Sequence, residues 1–294
     1  MDAEEENIDD YIDYEVEYTN KNNYFCNIAY FPDGGFTIVN HWRIKLLRPL
    51  CANLFFLIAQ GIFIYDLYSS LAPGACWACS FCATLVFFFV IVSFWMIVFI
   101  GPGYVPYNWR LKRRKTYGWK EQMKYITIYE QQVQCARMSE RPNRSSFSIE
   151  ARRFVLRADH LCIWTASWIG FKNHRYFVNF VFWLFVYGCL WFGLRFEWIK
   201  MMIKSFKLRY CVTLVFSLLI LLTTVYSFYH FVNAVRNLAK NITGIEKYMH
   251  RNTKMYDKGC FGNFEEVLGN RKFFLCWFIP FVPIPRVHDG FYET

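Results

Sequence analysis

Residues 77–100 read WACSFCATLVFFFVIVSFWMIVFI, a run of 24 residues without a charged side chain. A helix that crosses a bilayer needs about 20 apolar residues, so this stretch alone indicates a membrane protein. Three more apolar segments of similar length cover residues 46–67, 176–194 and 211–232. The 294-residue chain is 55% apolar and 21% aromatic, which is unusual for a soluble domain. We therefore predict an all-α membrane protein with four transmembrane helices.

The distribution of Lys and Arg predicts how these helices are oriented. The turn at 69–75 carries no charge, whereas residues 102–175 carry 15 Lys and Arg against 5 Asp and Glu. Because basic loops stay on the cytosolic side, we predict that residues 102–175 and both termini are cytosolic. The basic hairpin at 195–209 would then be luminal, and it argues against this orientation. We expect a multi-pass protein of the endoplasmic reticulum, the Golgi or the plasma membrane.

The N-terminal part of the chain is acidic. Residues 1–18 hold nine Asp and Glu and no Lys or Arg. Blocks of like charge are typically disordered tails, so residues 1–45 are predicted to be a disordered acidic tail with a juxtamembrane segment. A docking site for a basic partner is the alternative. The remainder is strongly basic, which suits an anionic lipid surface, and no nucleic-acid-binding motif accompanies the charge. The lipid bilayer is therefore a predicted partner, and nucleic acid is not.

The remaining boundaries follow from the apolar segments. Residues 46–100 form the first pair of helices, 101–175 a loop, 176–233 the second pair, and 234–294 a cytosolic tail. Within the tail, residues 273–282 are apolar but too few to cross a bilayer. We expect this short run to lie in the membrane interface or against the loop.

A short motif in the basic loop brings together three reactive residue types: Asp159, His160 and Cys162. A cysteine reacts as its thiolate, a histidine can accept the thiol proton, and an aspartate can orient the histidine. A motif this short can occur by chance. Its position in a loop at the membrane surface is the stronger indication of a functional role. We predict Cys162 as a nucleophile, His160 as its base and Asp159 as the orienting carboxylate.

The sequence around this motif resembles the DHHC family of protein S-acyltransferases. VLRADHLCIW at 155–164 and IGFKNHRYF at 169–177 are similar to its signature. Gly-Pro-Gly at 101–103, Thr-Gly-Ile-Glu at 243–246 and the pattern across 256–269 resemble its other motifs. The resemblance implies a palmitoyltransferase that moves an acyl chain from acyl-CoA, through a thioester on Cys162, to cysteines of cytosolic or membrane proteins. A catalytically inactive relative that binds a partner protein is the alternative.

The chain departs from this family where the family's loop, a cysteine-rich domain, binds two zinc ions. The corresponding ligand positions hold Phe147, Ser148, Ala151, Phe154 and Trp168, whereas structural zinc needs about four Cys or His ligands. We predict that structural zinc is absent and that no cofactor is needed besides the substrate acyl-CoA. Either an apolar core replaces the metal in stabilising the loop, or the loop is poorly ordered.

The motif itself differs at Leu161, where the family has a second histidine. Related enzymes with tyrosine at this position imply that the second histidine is dispensable. The resemblance therefore keeps Asp159, His160 and Cys162 as the reacting set.

Overall fold

Four long helices dominate the structure, a computed structural model that describes residues 28–30, 36–38, 47–70, 73–105, 131–137, 141–148, 153–195 and 208–292. The long helices are α1 (Leu47–Ser70), α2 (Pro73–Ile100), α4 (His174–Leu194) and α5 (Leu208–Ala239). Three shorter helices are α3 (Gln131–Arg137), α6 (Gly244–Tyr248) and α7 (Gly259–Leu268), and the segments Lys254–Tyr256 and Arg271–Cys276 are 3-10 helices.

Each long helix contains a segment long and apolar enough to cross a bilayer: Pro49–Tyr68, Trp77–Ile100, His174–Leu194 and Val212–Ala239. The prediction of four membrane-spanning helices is confirmed, and the protein is a multi-pass membrane protein. The fourth helix continues seven residues beyond the predicted end at 232. Ala234 and Leu238 on this extension are buried with Val178, Val267 and Leu268, and this packing extends the helix past its apolar segment.

Aromatic and small side chains hold the long helices together. Phe94 of α2 contacts Phe180 of α4, with ring centroids 5.5 Å apart. At Gly188 of α4 an added Cβ would lie 1.9 Å from Thr224 Oγ1 of α5, so only glycine permits this close approach of the two helices. Within α1, the acid Asp66 forms a buried ion pair with Arg195, which compensates its charge at membrane depth.

The described residues include six short strands, which form three antiparallel pairs. The strands β1 (Ile28–Tyr30) and β2 (Phe36–Ile38) pair within the segment predicted as a disordered tail, and the rest of residues 1–45 lies outside the described residues. In the loop between α2 and α4, β3 (Ser146–Ser148) pairs with β4 (Arg153–Val155), and β5 (His160–Cys162) pairs with β6 (Ser167–Ile169).

The end of α2 anchors this loop through its backbone. The amide of Val105 donates to the carbonyl of Phe154 at 2.8 Å, and the amide of Leu156 donates to Gly103 at 2.9 Å. Gly103 has φ = +85°, and an added Cβ would lie 2.9 Å from Lys172 Cγ. The Gly-Pro-Gly segment therefore ends the helix and turns the chain alongside the loop.

The tail after α7 returns to the membrane helices. Phe281 lies against Phe88 and Phe89 of α2, and Phe278 lies against Phe182 of α4 and Phe231 of α5. We expected this apolar segment in the membrane interface or against the loop. These ring contacts place it against the spanning helices.

Candidate active site

The predicted nucleophile and base lie on one short strand, β5. Side chains alternate between the two faces of a strand, so His160 and Cys162 share a face and Leu161 points the other way. Cys162 is buried, whereas the side chain of Leu161 is half exposed. This alternation explains why a leucine at position 161 does not separate the side chains of His160 and Cys162.

Asp159 is hydrogen-bonded to His160 and to helix α6. His160 Nδ1 lies 2.7 Å from Asp159 Oδ2, so the carboxylate fixes the orientation and tautomer of the ring and leaves Nε2 for the thiol. The amide of Gly244 donates to Asp159 Oδ1 at 2.7 Å, and the amide of Ile245 donates to the Asp159 carbonyl at 3.1 Å. The three predicted residues therefore lie together. They are supported by backbone amides of α6, which follows α4 and α5 in the sequence.

These contacts shift the pKa values of all three groups. Burial raises the pKa of Cys162, but hydrogen bonds with His160 and Thr165 and the charge of His160 lower it by more. Burial lowers the pKa of His160, but Asp159 and Cys162 raise it to about 10. Burial also raises the pKa of Asp159, but the neighbouring histidines and the Gly244 amide hold it well below its usual range. The site therefore favours a thiolate beside an imidazolium.

A cavity of about 1160 Å³ opens beside Cys162 and His160 and extends between the long helices. Along α4 its lining runs from Phe177 to Leu184, a distance of about 10 Å at 1.5 Å per residue. The walls are mostly apolar, and they include Phe56, Phe94, Phe180 and Leu222. A reactive thiol at the mouth of an apolar cavity suits a substrate that has a reactive head and a long hydrocarbon tail.

Two of the three aromatic residues at the zinc-ligand positions pack together, whereas Trp168 packs in a separate cluster with Tyr104, Val155 and Ala158. Phe147 and Phe154 face each other across β3 and β4, with ring centroids 5.2 Å apart. Phe154 is buried in a cluster with Val105, Cys135, Leu156 and Phe171. Among the described residues, no group of His, Cys, Asp or Glu is arranged to hold a metal ion. The described packing favours the first of the two alternatives, an apolar core in place of the metal.

A network of buried charged residues joins the loop to the C-terminal tail. The sequence analysis did not predict this network. Arg144 Nε donates to Glu246 at 2.8 Å, and Arg157 Nη2 donates to Asn241 Oδ1 at 3.0 Å. Burial raises the pKa of Glu266, but the charge of Arg157 leads several contacts that lower it to about 2. Pairing of these buried charges offsets the cost of removing them from water. The same contacts connect the loop to the C-terminal tail.

One part of this network leaves a signal in the sequence. The Thr243 side chain accepts from the Glu246 amide and the Glu246 side chain accepts from the Thr243 amide, which is a capping box. Its Thr-x-x-Glu spacing can be recognised without a structure. The partner of Glu246, Arg144, lies 102 residues away, and no local pattern points to it.

Comparison with known families identifies the domain that contains residues 159–162. Residues 127–251 match the family model for the DHHC palmitoyltransferase domain, which includes the β3–β6 region, α4 and α5. The chain thus carries a domain of the DHHC palmitoyltransferase family. This match confirms the family membership that the sequence motifs indicated. The class that this family defines is the protein S-palmitoyltransferase.

Similar curated proteins belong to the same class. The chain is 26% identical over 216 residues to "Probable protein S-acyltransferase 14" of Arabidopsis thaliana, which covers 64% of this chain and 66% of that protein. It is 27% identical to "Probable protein S-acyltransferase 12" of the same plant, over 70% of this chain and 75% of the relative. "Palmitoyltransferase AKR1" of Yarrowia lipolytica is 32% identical over 117 residues, only 16% of that protein.

Proposed function

We propose that this protein transfers a long acyl chain from acyl-CoA to cysteines of cytosolic or membrane proteins, through a thioester on Cys162. The observation that carries the proposal is the position of Cys162, beside His160 and at the mouth of the apolar cavity. The Asp159–His160 contact of 2.7 Å supports the chemistry, because it stabilises the imidazolium form of the histidine.

In the first half-reaction the Cys162 thiolate attacks the thioester carbonyl carbon of acyl-CoA. The tetrahedral intermediate collapses, the bond between the carbonyl carbon and the CoA sulfur breaks, and His160 gives its proton to the departing thiolate. Enzyme acylation therefore leaves free CoA and a neutral His160. The hydrocarbon tail lies in the cavity between α1, α4 and α5.

In the second half-reaction the thiol of an acceptor cysteine gives its proton to His160. The acceptor thiolate attacks the thioester on Cys162, and the Cys162 thiolate leaves beside the restored imidazolium. Both steps exchange one thioester for another, so the chemistry needs neither ATP nor a metal ion. We also propose that the loop and both termini face the cytosol, as the basic residues of the loop predict.

Incubating the purified chain with radiolabelled palmitoyl-CoA tests this proposal. We expect hydroxylamine-sensitive label on the unmodified protein and none on Cys162→Ser, because a serine hydroxyl has no comparable anionic population at neutral pH. Cys260→Ser is the matched control, since Cys260 is exposed on α7, away from the cavity lining. Label that persists in Cys162→Ser, or is missing from the unmodified chain at saturating palmitoyl-CoA, would favour the inactive binding role instead.

A further inference from the structure

The segment between the second 3-10 helix and Pro283 descends along the membrane helices instead of staying at their ends. Phe281 contacts Phe88 and Phe89, which are 12 and 11 residues before the end of α2 at Ile100. At 1.5 Å per residue these positions lie about 16–18 Å along the helix from its loop end.

Two other helices give a similar depth. Phe278 contacts Phe182, eight residues from the start of α4 at His174. It also contacts Phe231, eight residues before the end of α5 at Ala239. Both distances correspond to about 12 Å along the helix axis. Half of a bilayer's hydrocarbon core is about 15 Å thick, so the α2 contacts keep Phe281 at membrane depth even if that helix extends a turn beyond the bilayer.

A non-helical segment at this depth requires partners for its backbone carbonyls, because lipid supplies none. Arg175, near the start of α4, provides most of them. Its guanidinium donates to the carbonyls of Cys276, Trp277, Ile279 and Val282 at 2.8–3.1 Å. One arginine therefore donates to four backbone carbonyls, and those of Cys276 and Ile279 also accept the amides of Ile279 and Val282.

Other features of the segment serve the same purpose. The indole of Trp183 on α4 donates to the carbonyl of Phe278 at 2.7 Å. Pro280 and Pro283 have no amide hydrogen, so two donors that would need partners are missing. The side chain of Phe281 remains 52% exposed, although it lies among the spanning helices.

We propose that residues 277–283 form a re-entrant loop whose aromatic side chains contact the acyl chains of the leaflet on the loop side of the bilayer. The occupant of the exposed Phe281 face is lipid hydrocarbon, because the contacts of Phe281 with Phe88 and Phe89 of α2 place it at the depth of the acyl chains. The loop anchors the tail in the membrane, and Arg175 connects this anchor to the helix that follows the β5–β6 hairpin.

The test uses the unmodified full chain in phosphatidylcholine vesicles that contain a phosphatidylcholine with a diazirine in the middle of one acyl chain. After irradiation, mass spectrometry locates the adducts. We expect Phe281 to be labelled within a factor of about two of Val225, an exposed residue in the span of α5 that does not line the cavity, because both side chains face hydrocarbon. Phe261 on α7 is more exposed than Phe281 but lies outside the spans, and it should remain unlabelled.

Two results would overturn the re-entrant loop. One is labelling of Phe281 no stronger than that of Phe261 while Val225 is labelled. The other is stronger labelling of Phe281 from a diazirine beside the headgroup than from the mid-chain probe, which would place the segment in the interface. Photolabelling requires no acyl transfer, so neither result bears on the proposed catalytic function.

Discussion

The two hairpins of the loop differ in what they keep of the family pattern. In β3–β4 the zinc-ligand positions hold aromatic and small residues, and Phe147 packs against Phe154. In β5–β6 the aspartate, the first histidine and the cysteine are all present, and Asp159 contacts His160 at 2.7 Å. Three of the five metal-ligand positions lie on β3–β4, and Trp168 lies on β6. Metal support on β3–β4 can therefore be replaced by apolar packing while the predicted reacting residues of β5 are kept.

The largest effect on catalysis after loss of the nucleophile should come from His160→Ala. Removing the base should lower the rate of self-acylation by roughly 10²–10⁴-fold, because Cys162 then loses the partner that lowers its pKa. Single-turnover labelling with palmitoyl-CoA measures this rate. A variant as fast as the unmodified protein would show that β5–β6 carries no proton-transfer chemistry, and the contrast between the hairpins would disappear.

The corresponding test of the β3–β4 hairpin is Phe154→Ala, which should lower the free energy of unfolding. Truncating a buried phenylalanine typically costs about 3–5 kcal/mol, and Phe154 is 2% exposed. Thermal unfolding in detergent should show a large loss, whereas the control Phe261→Ala, at an exposed position, should change stability by less than about 0.5 kcal/mol. Equal stability of the two variants would contradict a structural role for the apolar core.

The pH dependence of self-acylation tests the ion pair of β5–β6. Burial lowers the pKa of His160, but Asp159 and Cys162 raise it to about 10, while the pKa of Cys162 lies below its usual value. We expect initial rates to fall as His160 loses its proton near pH 10. Protonation of His160 also stabilises the folded protein, because its pKa is higher in the folded than in the unfolded state. This contribution is complete below the ordinary histidine pKa of about 6.5 and is lost as the pH rises through about 10.

The control for this profile is His160→Ala. Without the imidazolium, the thiol pKa should rise, so the remaining rate should still increase with pH near pH 10, where the unmodified protein loses activity. A parallel profile in both proteins would exclude the ion pair.

Leu161→His should have a small effect, although it restores the residue that the family has. The side chain at 161 points away from the face shared by His160 and Cys162, and it is half exposed. We expect a rate of self-acylation that is unchanged or modestly raised. A large gain would mean that leucine limits the chemistry at this position.

Metal removal should have the smallest effect. Because Phe147 and Phe154 stand at ligand positions and pack together, we expect less than one zinc per chain and no change in melting temperature with a chelator. Elemental analysis of the purified protein measures the zinc content directly. About two zinc ions per chain would place the ligands elsewhere and contradict the proposed apolar replacement.

Local patterns explain how much of this molecule could be predicted. Apolar runs identified all four membrane helices, and the spacing of Asp159, His160 and Cys162 identified residues that lie together in the structure. The contact of Asp159 with Gly244 joins residues 85 positions apart, so no helical or strand period reveals it. Similarly, α5 extends beyond its predicted end because Ala234 and Leu238 are buried against α7, a contact that depends on tertiary packing.

The hydrogen bond between Asp159 and Gly244 also constrains how the protein is made. Between these residues the chain enters and leaves the membrane through α4 and α5, so a ribosome synthesises Cys162, the proposed nucleophile, long before the backbone amide that supports Asp159 exists. The reacting set can be completed only after both helices have been inserted and α6 has emerged. Nascent chains and products truncated before residue 244 would therefore carry Cys162 without its ordered partners, and acyl transfer would begin only on a fully inserted protein.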